Sequence, residues 1–133
     1  MDVIIDTNVF IQWERSHRTI DFSQWEGYGK TAMSVVTASE LLVGVHRAQT
    51  EEQQTRRSAF VAAILTHFPI IEFDIEIARV HAELFALLAS KGQQIGAHDL
   101  IIAATAKFHD SAVLTSNAKE FQRIPDLFVL EPT

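Results

Sequence analysis

The 133 residues suffice for one domain, 1–133, that buries a core without disulfide or metal staples; the lack of cysteine excludes thiolate chemistry and fits a reducing, cytoplasmic setting. A hydrophobic share of 47% beside 21% charged residues excludes disorder, no apolar run approaches the roughly 20 residues of a membrane span, and the opening MDVIID lacks the basic region of a signal peptide. The net charge of −6 speaks against a plain nucleic-acid-binding module, which carries a basic face; it does not speak against an enzyme that holds divalent cations with carboxylates.

In chain order, Val3–Ile5 is a short β-branched run that predicts a buried parallel strand ending at Asp6. Residues 8–15 predict a helix and 16–29 a polar, irregular connection. Residues 31–35 predict a second strand. Thr37 with Glu40 three residues later has the capping-box spacing, followed by an apolar face at Ala38, Leu41, Leu42 and Val45. Glu51 and Glu52 open a third helix whose stripe is Phe60, Val61, Ile64, Leu65 and Phe68, stopped by Pro69. Residues 70–73 predict a strand. Asp74 then caps a helix with Ile77, His81, Leu84, Phe85 and Leu88 as its buried stripe, closed at Lys91-Gly92. A nearly apolar helix at 98–109, a strand at 112–115, a short helix at 117–121 and a last strand at 127–130 complete the chain. Strands alternating with helices throughout imply a three-layer α/β/α fold around a central parallel sheet of four to five strands.

Ligands of an open parallel sheet bind beyond the carboxyl ends of its strands. Asp6 ends the first strand, Glu40 lies early in the helix after the second, Asp99 opens the apolar helix, and Asn117 and Glu120 follow the fourth predicted strand. Short right-handed connections would bring all five to one edge. Carboxylates gathered there repel one another unless a cation sits among them. Oxygen ligands without a His or Cys cluster select Mg²⁺, with Mn²⁺ as a substitute, over zinc. Such a site suits phosphodiester hydrolysis by an activated water.

Each acid also has a plainer reading. Asp6 fits an Asx-turn, Glu40 the far half of a capping box, Asp99 a helix N-terminal charge, and Glu120 a solvated surface acid. Thr7, Asn8, Thr115 and Ser116 fit either contacts near a scissile phosphate or local capping and turns. His98 beside Asp99 suggests an HD-type phosphohydrolase, but that site belongs to an all-helical fold with further His ligands. His81, on an apolar helix face, reads as a core histidine.

Four blocks carry a family resemblance: VIIDTNVFI, SVVTASELLVG, IGAHDLIIAATA and LTSNAKEF, in that order across positions 3–121. They resemble the acidic motifs of PIN domains, and the second and third together resemble the VapC-type branch. The resemblance implies a bacterial or archaeal endoribonuclease toxin, dimeric, acting on structured RNA such as tRNA or rRNA and held by a cognate VapB-type antitoxin. It makes Asp6, Glu40 and Asp99 the metal-site acids. Asn117 stands where many relatives carry an acid, which leaves open whether Asn117 or Glu120 completes the site.

Arg15, Arg18 and Lys119 leave the acidic edge and are candidates for RNA phosphates; Trp13, Phe22 and Trp25 are candidates for base stacking or for packing. An antitoxin tail is expected to cross the second and third helices, over Leu41, Val45 and Val61, and to insert an Arg or Lys among the acids. A receiver-like interaction domain would need adjacent acids after the first strand and a lysine after the last, and the sequence has neither. A DNA-directed flap-type nuclease would need duplex-binding insertions for which 133 residues leave no room.

Overall fold

A computed structural model describes residues 2–17 and 21–132. Five parallel strands form one sheet: β1 Val3–Ile5, β2 Thr31–Ser34, β3 Ile70–Ile71, β4 Ala112–Leu114 and β5 Val129–Leu130, in the spatial order β3-β2-β1-β4-β5. Around it lie α1 Thr7–Arg15, α2 Val35–His46, α3 Glu51–His67, α4 Ile75–Ser90, α5 Ala97–Phe108 and the short α6 Ala118–Phe121. β1 pairs with β2 on one side (Val3 with Thr31) and with β4 on the other (Ile5 with Leu114).

The period-2 geometry of the strands divides the core into two layers. Val3 and Ile5 of β1, with Ala112 and Leu114 of β4, face a layer built on Phe10, Trp13, Leu41, Phe60 and Ile64. Ile4 and Val113 face the opposite layer of Ile77, Leu88, Ile102 and Phe121. Both faces of the central strands are covered, which is why their residues are uniformly apolar. Among the described residues, no helix is long and apolar enough to cross a membrane.

Several local expectations are corrected. The second strand stops at Ser34, which caps α2 by accepting from the Val36 N–H at 3.2 Å. Thr37 therefore lies inside the helix rather than at its cap, and Glu40 is not half of a capping box. Leu42, expected on the buried face of α2, is 45% exposed, while Ala38 and Leu41 are buried. On α4 the buried line is Ile77, Leu84 and Leu88; Phe85 is 53% exposed and His81 half-buried against it. The edge strands are two residues each, shorter than the apolar runs at 70–73 and 127–130 suggest, because each has only one neighbouring strand to bond. The irregular connection contains a 3₁₀ turn, Phe22–Tyr28. Arg18 lies outside the described residues.

Candidate active site: carboxylates at the carboxyl edge of the sheet

Asp6 is delivered by the end of β1 and held by three neighbours. Its backbone N–H donates to the Leu114 carbonyl of β4 (2.8 Å). Its Oδ1 accepts from the Thr7 N–H (2.7 Å), capping α1, and its Oδ2 accepts from the Thr115 hydroxyl (2.8 Å). The helix-cap reading and the site reading of Asp6 thus describe one geometry. At 4% exposure, burial raises its pKa; the two hydrogen bonds pull it back down, and the charges of Glu40 and Glu120 push it up again.

Glu40 reaches the same place from α2. Its Oε1 accepts from the Thr7 hydroxyl (2.7 Å), which is also hydrogen-bonded to the Thr37 hydroxyl at 2.9 Å. Its Oε2 lies 3.4 Å from Nδ1 of His98. Thr7 and Thr37 are buried, so Thr7 is engaged in holding Glu40 and presents nothing to a substrate. His98 pairs with Glu40 and lies beside a parallel sheet, not in the all-helical fold that an HD-type site requires.

Asp99 sits in the first turn of α5, whose cap, Gly96, has no side chain to offer. A helix N-terminus favours a charged carboxylate, yet Asp99 is pushed up to about 8. Burial is the largest cause, followed by the hydrogen bond Asp99 donates to Glu120, then the charges of Asp6, Glu120 and Glu40. Burial and crowding together outweigh the helix dipole here, and Asp99 shares a proton with Glu120.

The β4–α6 loop supplies the rest. Asn117 donates from Nδ2 to Oε2 of Glu120 (3.1 Å), and its backbone N–H donates to Oγ1 of Thr115 (2.9 Å). An ordered relay therefore runs from Asn117 through Thr115 to Asp6. All five expected residues are at one edge, with Glu120 among the acids and Asn117 orienting it. Among the described residues no lysine or arginine forms an ion pair with any of the four carboxylates; the ion pairs are Glu40 with His98 and Glu14 with Arg57. Nor do three of the acidic or histidine side chains meet at one point closely enough to bind an ion as they stand. Like charges spread apart and take up a proton until something positive separates them.

Trp13 and Trp25 are not available to nucleobases. They are buried in an edge-to-face aromatic cluster with Phe10, Phe60 and Phe68, and Phe22 stacks on His67. Beside Glu40, a cleft of about 110 Å³ runs between α1, α2 and α3, lined by Ile11, Leu41, Gly44, Phe60 and Val61 with Arg15 and Arg57 at its rim. Arg57 fixes the cleft wall by donating to the Gly44 carbonyl (3.0 Å) and pairing with Glu14 (3.6 Å). Leu41 and Val61 form its floor but are themselves buried core residues, and Val45, partly buried, does not line it. The sequence reading missed Gln12, which accepts from the Ser116 hydroxyl (2.8 Å). Its position, four residues after Asn8 on one helix, was the available signal.

Residues 3–127 match the family model of the PIN domain. The chain is 38% identical over 130 residues to Ribonuclease VapC1 of Rickettsia felis, covering 98% of this chain and 96% of that one. It is 29% identical over 99 residues to the tRNA(fMet)-specific endonuclease VapC of Shigella flexneri, covering 74% and 73%. Among solved structures it superposes on a chain of VapBC2 from Rickettsia felis bound to a DNA fragment from their promoter, with a TM-score of 0.87, 27% identity and 98% coverage of both chains. The chain belongs to the PIN-domain family, in its VapC ribonuclease branch.

Proposed function

We propose that this chain is a Mg²⁺-dependent endoribonuclease, the toxin of a VapBC-type toxin–antitoxin pair, with Asp6, Glu40, Asp99 and Glu120 as its acidic centre and Asn117 as the residue that orients Glu120. The observation that carries the reading is the electrostatic one. Four carboxylates from four separate elements gather at one edge with no lysine or arginine paired to them among the described residues, and burial together with the neighbouring acids raises Asp99 to about 8.

The donor set fits a hard divalent cation: carboxylate oxygens, no thiols, and a proton shared by Asp99 and Glu120 where positive charge is needed. Asp6, Glu40 and Asp99 would hold the ion, with Mn²⁺ as a substitute for Mg²⁺. Such an ion supplies Lewis acidity toward water and neutralises charge on a scissile phosphate. The protein's own part is positioning. Thr115 and the Thr7 N–H fix both oxygens of Asp6; Thr7 and His98 fix those of Glu40; Asn117 fixes Glu120. Preorganisation of this kind spares reorganisation when the substrate arrives.

The relatives support the biological setting. The Shigella flexneri protein is named for cleavage of tRNA(fMet), so structured RNA, tRNA above all, is the expected substrate class. The Rickettsia felis assembly is a VapBC complex, so a VapB-type antitoxin is the expected partner. Its tail would occupy the cleft between α1, α2 and α3 and place a cation against Glu40. A homodimer and a cytoplasmic location belong to the same reading. Sequencing RNA 5′ ends after brief expression in a bacterial host tests the substrate: new ends clustered at defined tRNA or rRNA positions are expected. An RNA population unchanged against an Asp6→Asn control would overturn it.

A further inference from the structure

Two carboxamides on one face of α1 are pinned by a single residue of the β4–α6 loop. The Asn8 side-chain carbonyl accepts from the Ser116 backbone N–H (3.2 Å), and the Gln12 carbonyl accepts from the Ser116 hydroxyl (2.8 Å). A backbone N–H only donates, so it fixes Asn8 with its oxygen inward and its NH₂ outward. One turn further along the Ser116 hydroxyl donates to the Gln12 carbonyl, an arrangement that also leaves the Gln12 NH₂ outward. Gln12 and Ser116 are exposed and Asn8 is half-buried, so these NH₂ groups stand at the rim of the acidic centre. The residues flanking Ser116 are the ones bonded into that centre: Thr115 to Asp6, and Asn117 to Glu120.

Their chemistry suits a particular task. A phosphodiester strand must lie beside carboxylates, and a lysine or arginine at that distance would pair with the acids instead. Neutral amide donors bind phosphate oxygens without neutralising the carboxylates. Because both amide oxygens are already engaged, only N–H groups are presented, which selects acceptors such as anionic oxygens. Trp13 and Trp25 are buried and offer the bases no stacking platform; the outward amide donors address the backbone. Arg15, exposed and three residues beyond Gln12 at the end of α1, offers a cation for the next phosphate.

We propose that Asn8 and Gln12, oriented by Ser116, form a phosphate-binding subsite for the RNA strand, which leaves the acidic centre along α1 toward Arg15. The proposal rests on the ribonuclease reading above and adds the path of its substrate.

The test uses bulk bacterial tRNA with two readouts: cleavage kinetics of the active chain, and filter binding by an Asp99→Asn chain in Mg²⁺. Gln12→Ala should raise KM by about ten-fold, the worth of one amide–phosphate bond, with kcat nearly unchanged. Ser116→Ala should do likewise, and the double variant should be no worse than either, since both remove one oriented donor. In the binding assay Gln12→Glu should weaken affinity by about ten-fold or more, while the exposed Gln93→Glu control changes it by less than about two-fold. Equal effects of Gln12→Glu and Gln93→Glu, or a loss confined to kcat, overturn the subsite. A parent chain that binds tRNA but leaves it uncut counts against the ribonuclease reading instead, and the binding comparison still decides the subsite.

Discussion

The Asn117 side-chain amide donates to Oε2 of Glu120 across 3.1 Å, so the fourth acidic motif splits its work between a carboxylate at 120 and an orienting amide at 117. The two substitutions should differ accordingly. Glu120→Gln keeps shape and removes charge, and should lower RNA cleavage by about a hundredfold or more; Asn117→Ala leaves the charge and loosens it, and should cost about ten-fold. Single-turnover rates on one RNA check the order. A larger loss at Asn117 would reverse the assignment.

The raised Asp99 makes the metal-free protein's stability depend on pH. An unfolded aspartate titrates near 3.9, whereas the folded one titrates near 8. Between those values the folded state holds a proton that the unfolded state has lost, so stability falls as pH rises through that window. Melting curves in EDTA should therefore decline from pH 5 to about pH 8.5. Asp99→Asn should flatten that decline, match or exceed the parent's melting temperature at the upper end, and abolish cleavage. A marked loss of melting temperature would make Asp99 a structural residue.

Thr7 bridges two of the acids: its N–H goes to Asp6 and its hydroxyl to Glu40 at 2.7 Å. Thr7→Val preserves the volume and leaves Glu40 short of one bond, which should cost about 1 kcal/mol of stability and lower cleavage by about ten-fold. Thr7→Ser keeps the hydroxyl and should restore most of both. Equal activity of the valine and serine variants would show that Glu40 does not depend on this contact.

Much of this was legible in the sequence. The acids at 6, 40, 99 and 120 follow strand ends or open helices, and one topological rule gathers them. What was not legible is local competition. Thr37 and Glu40 have capping-box spacing, but Ser34 is an equally good cap three residues earlier, and it wins because β2 ends there. Leu42 is exposed although it sits on the apolar stripe, and Glu40 turns toward Thr7. Trp13 and Trp25 looked available because they flank a polar segment; only the folded 3₁₀ turn shows that they pack on Phe10, Phe60 and Phe68. The partner of Glu40 on its other side, His98, is 58 positions away in sequence, and no spacing rule links the two.

The cleft between α1, α2 and α3 offers a way to separate activity from neutralisation. A Cβ at Gly44 would meet nothing within 4 Å, and the residue lies mid-helix, where replacing glycine should stabilise by about 0.5–1 kcal/mol. Gly44→Met should therefore fold, cleave RNA and fill the cleft. Co-expressed antitoxin should then fail to protect the host. Full protection of cells carrying this variant would place the antitoxin elsewhere.

Carboxylates gathered in this way should cut RNA only with a divalent cation among them. The direct measurement is cleavage of bacterial tRNA by the purified chain in Mg²⁺, in Mn²⁺ and in excess EDTA, beside Asp6→Asn. Cleavage should appear with either metal, vanish in EDTA, return when Mg²⁺ is restored, and be absent from the variant. Undiminished cleavage in EDTA, or a variant as active as the parent, would contradict it.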